Sequence, residues 1–290
     1  MYKNSADISS REVPFVTVIV AVYNGAATLK QCIDSVASQT FRDIELIVVD
    51  GGSTDGTVGL LVANASKLSY WISEPDKGIY DAWNKGLQHA TGDWILFLGS
   101  DDYLYDERVL ESMVPHLETL PSNIRIAYGQ VLIVNKTGHA LYAIGAPWHT
   151  IKKRFRQVMC IPHTGTLHHR TLFDQHGNFD SSYRIAGDYE FLLRELKQAD
   201  ASFIENNIVA AMRVGGVGSD PSNGIRVMRE TRRAARVHGR LFPGRYWLMA
   251  VMSIYFRAVL WDFLGDRQSR RLLDFARRVF KGKPAYWTKT

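Results

Sequence analysis

The chain has 290 residues, is 46% hydrophobic and 22% charged, and carries ordinary amounts of Gly and Pro. That composition excludes a disordered or fibrous protein and is enough for one large domain or a domain with an appendage. Two distant cysteines, Cys32 and Cys160, argue against a disulfide framework or a zinc site and fit a reducing cytoplasm. The net charge of +6 is unevenly placed: residues 1–221 sum to −6 and residues 222–290 to +12. A basic tail on an acidic body points to a surface that meets phosphates, on anionic lipid or on nucleic acid.

Residues 1–15 form a polar lead-in without the apolar run of a signal peptide, which places the following domain in the cytosol. Val16–Val22 is a continuous β-branched run, the pattern of a strand buried on both faces. Leu29, Cys32, Ile33 and Val36 then recur at helical spacing. Ile44–Asp50 reads as a second buried strand and Leu68–Ser73 as a weaker third. Ile79, Ala82, Trp83, Leu87 and Ala90 give a helical stripe before a fourth strand, Trp94–Leu98. Strands alternating with helices predict an α/β fold with a mainly parallel, Rossmann-like sheet joined by right-handed crossovers.

Ligands of such sheets collect beyond the carboxyl ends of the strands. Three polar clusters fall there: Tyr23-Asn24-Gly25, Asp50-Gly51-Gly52-Ser53 and Gly99-Ser100-Asp101-Asp102. Adjacent carboxylates raise one another's energy unless a cation lies between them, so Asp101-Asp102 suits a hard divalent ion and the diphosphate it would bind. The other reading of that pair is a solvated turn capping a helix over Leu104–Leu120. Asp50, before GGSTDGT, reads either as a hydrogen-bond acceptor for a nucleoside or as the start of a Gly-rich turn. The segment has neither the GxGxxG spacing of a dinucleotide site nor a P-loop.

Farther on, Ile126–Val134 is strand-like, and Gly187-Asp188-Tyr189-Glu190 precedes an apolar helical run. Asp188 is there either a helix cap or a general base aimed at an acceptor hydroxyl. His163, His168, His169 and His176 have no metal-ligand spacing. From Gly224 onward the chain reads as helical, with breaks at Pro243-Gly244 and Gly265. One of these helices has a basic face (Arg226, Arg229, Arg232, Arg233 and Arg236). Tyr246–Leu264 is long and apolar enough to span a bilayer, but Arg257 and Asp262 make spanning costly. A helix lying in the interface or packed on the catalytic domain is therefore expected. Arg267, Arg270, Arg271, Arg277 and Arg278 would then face anionic lipid.

The stretches VTVIVAVYNGAATLKQCIDSVASQTFRDIELIVVDGGSTDGT, GIYDAWNKGLQHATGDWILFLGSDD, PHTGTLHHR and AGDYEFLLREL, in that order, resemble the family-2 glycosyltransferases of the GT-A fold. The resemblance runs from about residue 16 to 220. It implies a nucleotide-binding half over about 16–105, an acceptor half over about 106–221, and a helical extension over 222–290. By the same resemblance, Ala21, Tyr23 and Asp50 hold a nucleoside, usually uridine, Asp102 also belongs to the nucleotide site, and Asp101 binds Mn²⁺ or Mg²⁺. Asp76, Lys77 and Asn84 border the diphosphate or sugar, His163 lies near the acceptor, and Asp188 deprotonates it. Gly99 and Gly187 depart from the family pattern, each standing where many members carry an acid.

The implied enzyme moves a sugar from a nucleoside-diphosphate sugar to a hydroxyl of a saccharide or lipid-linked acceptor. One base, one metal and no second nucleophilic carboxylate imply direct displacement with inversion. Surface-polysaccharide synthesis at the inner face of a cell membrane is the implied setting. Three rivals remain. A nucleotidyltransferase lacks its Gly-rich basic loop here, and a nucleic-acid-binding protein lacks aromatic platforms in the tail. A catalytically silent sugar-nucleotide or glycan-binding module is prompted by Gly99 and opposed by the presence of both Asp101 and Asp188.

Overall fold

The computed structural model describes residues 13–216 and 223–281. Most of the lead-in and the 221/222 boundary expected between catalytic domain and extension lie outside the described residues.

The expected strands form where the β-branched runs stand: β1 (Val16–Val22), β2 (Ile44–Asp50), β3 (Tyr70–Ser73) and β4 (Trp94–Gly99). They pair in parallel in the order β3-β2-β1-β4. β1 shows why its sequence lacks alternation. Val16, Val18, Val20 and Val22 enter one core with helix α1 (Leu29–Ala37), while Ile19 and Ala21 enter a second core on the other face. Each fully buried aliphatic side chain contributes roughly 1.5–3 kcal/mol of transfer free energy, so both faces of the strand hold it in the sheet. The buried Thr17 hydroxyl is satisfied by Glu45 Oε2 at 2.6 Å.

Beyond β4 the sheet becomes mixed. β8 (Thr166–His169) runs antiparallel to both β4 and β6 (Ile126–Val134). β9 (Ser202–Arg213) is parallel to β6, and the short β5 (Tyr103–Leu104) and β7 (Ala140–Ile144) pair antiparallel to β9 and β6. The expected mainly parallel pairing thus holds over β3-β2-β1-β4 and again between β6 and β9, with antiparallel pairs at β8, β5 and β7. The helix expected over Leu104–Leu120 is shorter, α4 (Val109–Glu118), because Tyr103 and Leu104 are taken into the sheet.

Two helices bear on the site. α3 (Ile79–Leu87) packs on β1 and β2 through Ala82 and Trp83. α7 (Gly187–Leu196) buries Tyr189, Phe191, Leu192 and Leu196 in the same core. The smaller α2 (Thr57–Ala63), α5 (Trp148–Phe155) and α6 (Thr171–His176) complete the layers.

The extension consists of α8 (Gly224–Val237) and α9 (Arg245–Lys281), the latter kinked at Gly265, where φ is +69°. α8 packs on α7 through Ala234 and is followed by α9, whose Trp247 Nε1 donates to the Met228 carbonyl oxygen at 2.9 Å. Packing of α9 on the catalytic domain is partial. Met249, Met252, Phe256 and Phe263 are 60–83% exposed. An apolar window of α9, with mean hydropathy 1.4, has none of its residues buried. Not all the basic side chains face outward as expected. Arg277 lies over the Tyr142 ring at 4.5 Å, Arg270 pairs with Asp266, Arg233 stacks on Tyr183, and Arg232 donates to the carbonyl oxygens of Arg240 and Leu241. Arg226, Arg229, Arg236, Arg267, Arg271 and Arg278 are exposed.

Candidate active site

The carboxyl ends of β1, β2 and β4 lie side by side, with Val22 registered on Asp50 and Ala21 on Gly99. Ala21 is buried, and its carbonyl oxygen accepts from the Ser100 amide at 3.2 Å. Tyr23, the next residue but one, is 67% exposed and presents its ring at the rim. The loop after β1 is sewn to the loop after β2. The Asn24 amide donates to Ser53 Oγ (2.6 Å), and Asn24 Oδ1 accepts from the Thr54 amide (3.0 Å). The Gly25 amide donates to Thr57 Oγ1 (3.0 Å). Gly25 admits no side chain, since a Cβ there would sit 2.5 Å from Val22 Cγ2.

Asp50 sits differently from the expectation. It is fully buried, and its carboxylate accepts from the Gly52 and Ser53 amides, the Ser53 hydroxyl and, at 2.6 Å, the Ser73 hydroxyl. Three of these four donors converge on Oδ2, and Oδ1 takes the Ser53 hydroxyl alone. Asp50 therefore shapes the Gly-rich turn and ties β2 to β3. The acid that reaches the open rim is Asp76. Its Oδ1 accepts from the Gly78 amide at 2.7 Å, and its Oδ2 occupies the space beside Gly51, 2.5 Å from where a Cβ would be. Lys77 is exposed, and its carbonyl oxygen accepts from the Arg184 guanidinium. Asn84 is committed to the fold, because its side-chain amide pairs with both the amide and the carbonyl of Phe179, at 3.0 and 2.9 Å.

At the end of β4, Asp102 is buried. Its carboxylate accepts from the Arg213 amide and the Thr164 hydroxyl, both at 3.3 Å. Burial, and then the charge of Asp101, push its carboxyl well above the ordinary range. Arg213, at the end of β9, also donates from its guanidinium to the Asp101 carbonyl oxygen and to Gln31. The Asp101 carboxylate has no hydrogen-bond partner among the described residues. Gly99 is bare where the family pattern has an acid, and a Cβ there would meet Asp101 Oδ1 at 2.9 Å. Asp101 thus leans into the volume that a residue-99 side chain would fill.

Asp188 is the second residue of α7. Its Oδ1 accepts from the Tyr189 amide at 2.8 Å and lies 3.2 Å from the Tyr80 hydroxyl, which donates to the Ile185 carbonyl oxygen at 2.6 Å. Burial raises the Asp188 carboxyl to about 6; the hydrogen bonds oppose this and the charge of Glu230 adds to it. Gly187, the second departure, is also explained by packing. A Cβ there would lie 2.8–2.9 Å from three ring atoms of Tyr80.

His163 stacks with Phe97 (ring centroids 5.8 Å apart) and packs against Trp83 (5.1 Å) and His168 (5.0 Å). Its Nε2 is buried, and burial holds the imidazole well below its usual range, hence neutral. It adjoins Thr164, the partner of Asp102.

Two groups thus stand at the rim: Asp101, Asp102, Thr164 and Arg213 around the end of β4, and Tyr80, Asp188 and Arg184 beside the start of α3. Thr164, Arg213, Tyr80 and Arg184 escaped the sequence reading. Their signal is spatial, since each meets its partner across 62 to more than 100 residues.

A mixed sheet whose parallel strands end at these carboxylates, with a half-buried acid at the start of α7, has the architecture of a GT-A transferase. The chain belongs to glycosyl transferase family 2, whose model matches residues 17–175. A PGL/p-HBAD biosynthesis glycosyltransferase of Mycobacterium tuberculosis is 35% identical over 185 residues, 62% of this chain and 69% of that protein. An uncharacterized glycosyltransferase of the same species is 32% identical over 238 residues, 80% of this chain and 87% of that protein. Among solved structures, Staphylococcus aureus TarS 1-349 in complex with UDP-GlcNAc matches with a TM-score of 0.59 at 18% identity. That match covers 86% of this chain and 73% of that one. The Pyrobaculum calidifontis mannosyltransferase PcManGT in complex with GDP-Man and Mn²⁺ matches with a TM-score of 0.60 at 18% identity, covering 96% and 84%. At that identity the two structures establish the fold.

Proposed function

We propose that this glycosyltransferase uses a nucleoside-diphosphate sugar, a UDP-sugar first among the candidates, and inverts the anomeric centre as it glycosylates a hydroxyl of a saccharide or lipid-linked saccharide. The observation that carries the reading is Asp188. It is a carboxyl raised to about 6 by burial, at a helix start, on the same sheet rim as the Asp101-Asp102 pair. A base with that proton affinity is ionised at neutral pH yet still accepts a proton from an attacking hydroxyl.

The donor set at the end of β4 fits Mn²⁺ or Mg²⁺. Asp101 offers a carboxylate without a hydrogen-bond partner among the described residues, and Asp102 is an acid whose proton affinity is raised by burial and then by the charge of Asp101. Among the described residues no cluster of three or more His, Cys, Asp or Glu side chains surrounds a common point, so an ion held by Asp101 would need further ligands from the diphosphate and water. When bound, the ion supplies neutralisation of the charge gathering on the departing diphosphate. The chain's own contributions are distinct. The Tyr23 ring offers a stacking face for the base, and Asp76 offers its Oδ2 to an N–H of the nucleoside. Asp50 holds the turn between them. Tyr80 and the Tyr189 amide orient Asp188, and the neutral His163 lines the acceptor side.

Nucleoside diphosphate release from UDP-, GDP- and dTDP-sugars tests this reading, with Mn²⁺, Mg²⁺ or EDTA, for the wild type and Asp101→Ala. Metal-dependent release from one nucleotide class, lost in the variant, is the expected result. No release and no metal-assisted nucleotide binding by calorimetry would favour the silent binding module.

The exposed apolar face of α9 and the outward arginines support seating on an anionic membrane at its cytoplasmic side, where a lipid-linked acceptor is found. Flotation with phosphatidylglycerol vesicles should be lost in Phe256→Glu/Phe263→Glu. Equal flotation of both proteins would refute the membrane reading.

A further inference from the structure

The segment that delivers Asp188 is held by a residue of the C-terminal helical extension. The backbone amides of Arg184, Ile185 and Ala186 all point at one carboxylate, that of Glu230 on α8. The distances are 3.1 Å from Arg184, 2.9 Å from Ile185 and 3.0 Å from Ala186, all to Oε2; the Arg184 amide also lies 3.2 Å from Oε1. Three successive main-chain donors on one acceptor group form the kind of concave site that backbone amides make for an anion. Here the anion is supplied by the chain itself, 44 to 46 residues away. It fixes the entry to α7: Ala186, the residue that precedes the helix, has no side chain able to accept, α7 has no side-chain cap of its own, and the Ala186 amide is satisfied by Glu230.

One turn farther along the same face of α8, Arg233 donates to Ser182 Oγ at 2.6 Å and lies over the Tyr183 ring at 4.1 Å. Glu230 and Arg233, at i and i+3, therefore grip residues 182–186 together. On its opposite side the segment is stitched to α3 and the donor loop. Tyr80 donates to the Ile185 carbonyl oxygen, and the Arg184 guanidinium donates to the Lys77 carbonyl oxygen. The chain thus enters α7 fixed between two walls, with Asp188 two residues after the last amide that Glu230 holds.

We propose that Glu230 is a positioning residue for Asp188, making α8 of the extension part of the catalytic apparatus and not only a link to the membrane-facing helix. The inference rests on the reading of Asp188 as the base. Without the carboxylate, three adjacent amides lose their acceptor and residues 184–186 are free to rotate. Asp188 then leaves the line of the acceptor hydroxyl, while the donor site at β1, β2 and β4 keeps its own hydrogen bonds. The defect should fall on turnover and spare donor binding.

The test measures kcat, donor KM and melting temperature for full-length wild type, Glu230→Gln, Glu230→Ala and Asp188→Asn. Amide hydrogen exchange is followed over residues 182–190. A base misplaced by about 1 Å costs about 100-fold, so Glu230→Ala should lose about 10- to 100-fold in kcat with donor KM within about twofold. Glu230→Gln keeps one acceptor oxygen and should fall between it and the wild type. Exchange at residues 184–186 should quicken in the same order. If Glu230→Ala does not fold, Glu230→Gln with its exchange pattern carries the test. A dead Asp188→Asn beside Glu230 variants of unchanged kcat overturns the positioning role alone. An active Asp188→Asn overturns the base assignment and this inference with it. Loss of kcat that merely follows the folded fraction also overturns it.

Discussion

Replacing Asp188 by Asn should abolish transfer and at the same time stabilise the protein at neutral pH. Burial raises the carboxyl from 3.8 to about 6, so the native state binds this proton more tightly than the unfolded chain does. Between those values the unfolded carboxyl is already ionised while the native one is still protonated. Stability is therefore lost as pH rises from about 4 to about 6, and the full penalty applies above that. At about 1.4 kcal/mol per unit the ceiling is about 3 kcal/mol, and water reaching this partly exposed side chain reduces it to about 1–3 kcal/mol. Asn is neutral, nearly isosteric, and keeps an oxygen for the Tyr189 amide, so it removes the penalty without opening a cavity. Urea unfolding at about pH 7.5 and at about pH 4 reads the effect, with kcat measured on the same preparations. The gain should be present at the higher pH and absent at the lower. A variant no more stable than the wild type at neutral pH, or a gain equal at both, would refute the account of Asp188 as a buried, ionised base.

Gly187→Ala should destabilise the fold by about 1–3 kcal/mol, the usual cost of overpacking, because the Tyr80 ring it strikes is boxed in by Trp83 and Phe179. It should also lower kcat about tenfold by moving the Tyr80 hydroxyl away from Asp188. An unchanged melting temperature would show that the ring can yield. Gly51→Ala should displace Asp76 from the rim and weaken nucleotide binding about tenfold in calorimetry, equivalent to about 1.4 kcal/mol, with little change in stability. Unaltered affinity would remove Asp76 from the donor site.

Much of the first half of the fold follows from local sequence. A strand buried on both faces, such as Val16–Val22, must be apolar throughout, and a helix on a sheet must repeat its apolar residues every three or four positions. Those two constraints write β1, α1, β2, α3 and β4 into the chain, and with them the rule that polar residues at strand ends face a ligand. Asp101 is singled out for that reason, whereas Asp188 is singled out by its place before an apolar helical run and by the family resemblance. The antiparallel pairings were not, because β8 has only four residues and its partners are β4 and β6, far away in sequence.

The division of labour among the acids was decided by the tertiary structure alone. Asp50 has no local sign that Ser73, 23 residues later, donates to its Oδ2. Asn84 looks free until Phe179 occupies both ends of its amide. Gly99 and Gly187 look like losses until Asp101 and Tyr80 are found against their bare Cα atoms. Glu230 has no local signal whatever, lying in a basic amphipathic helix. A side chain's remaining capacity to bind depends on which hydrogen-bond partners the fold has already given it, and those partners arrive from tens of residues away. Periodicity along the chain records burial, which is local; it does not record saturation, which is not.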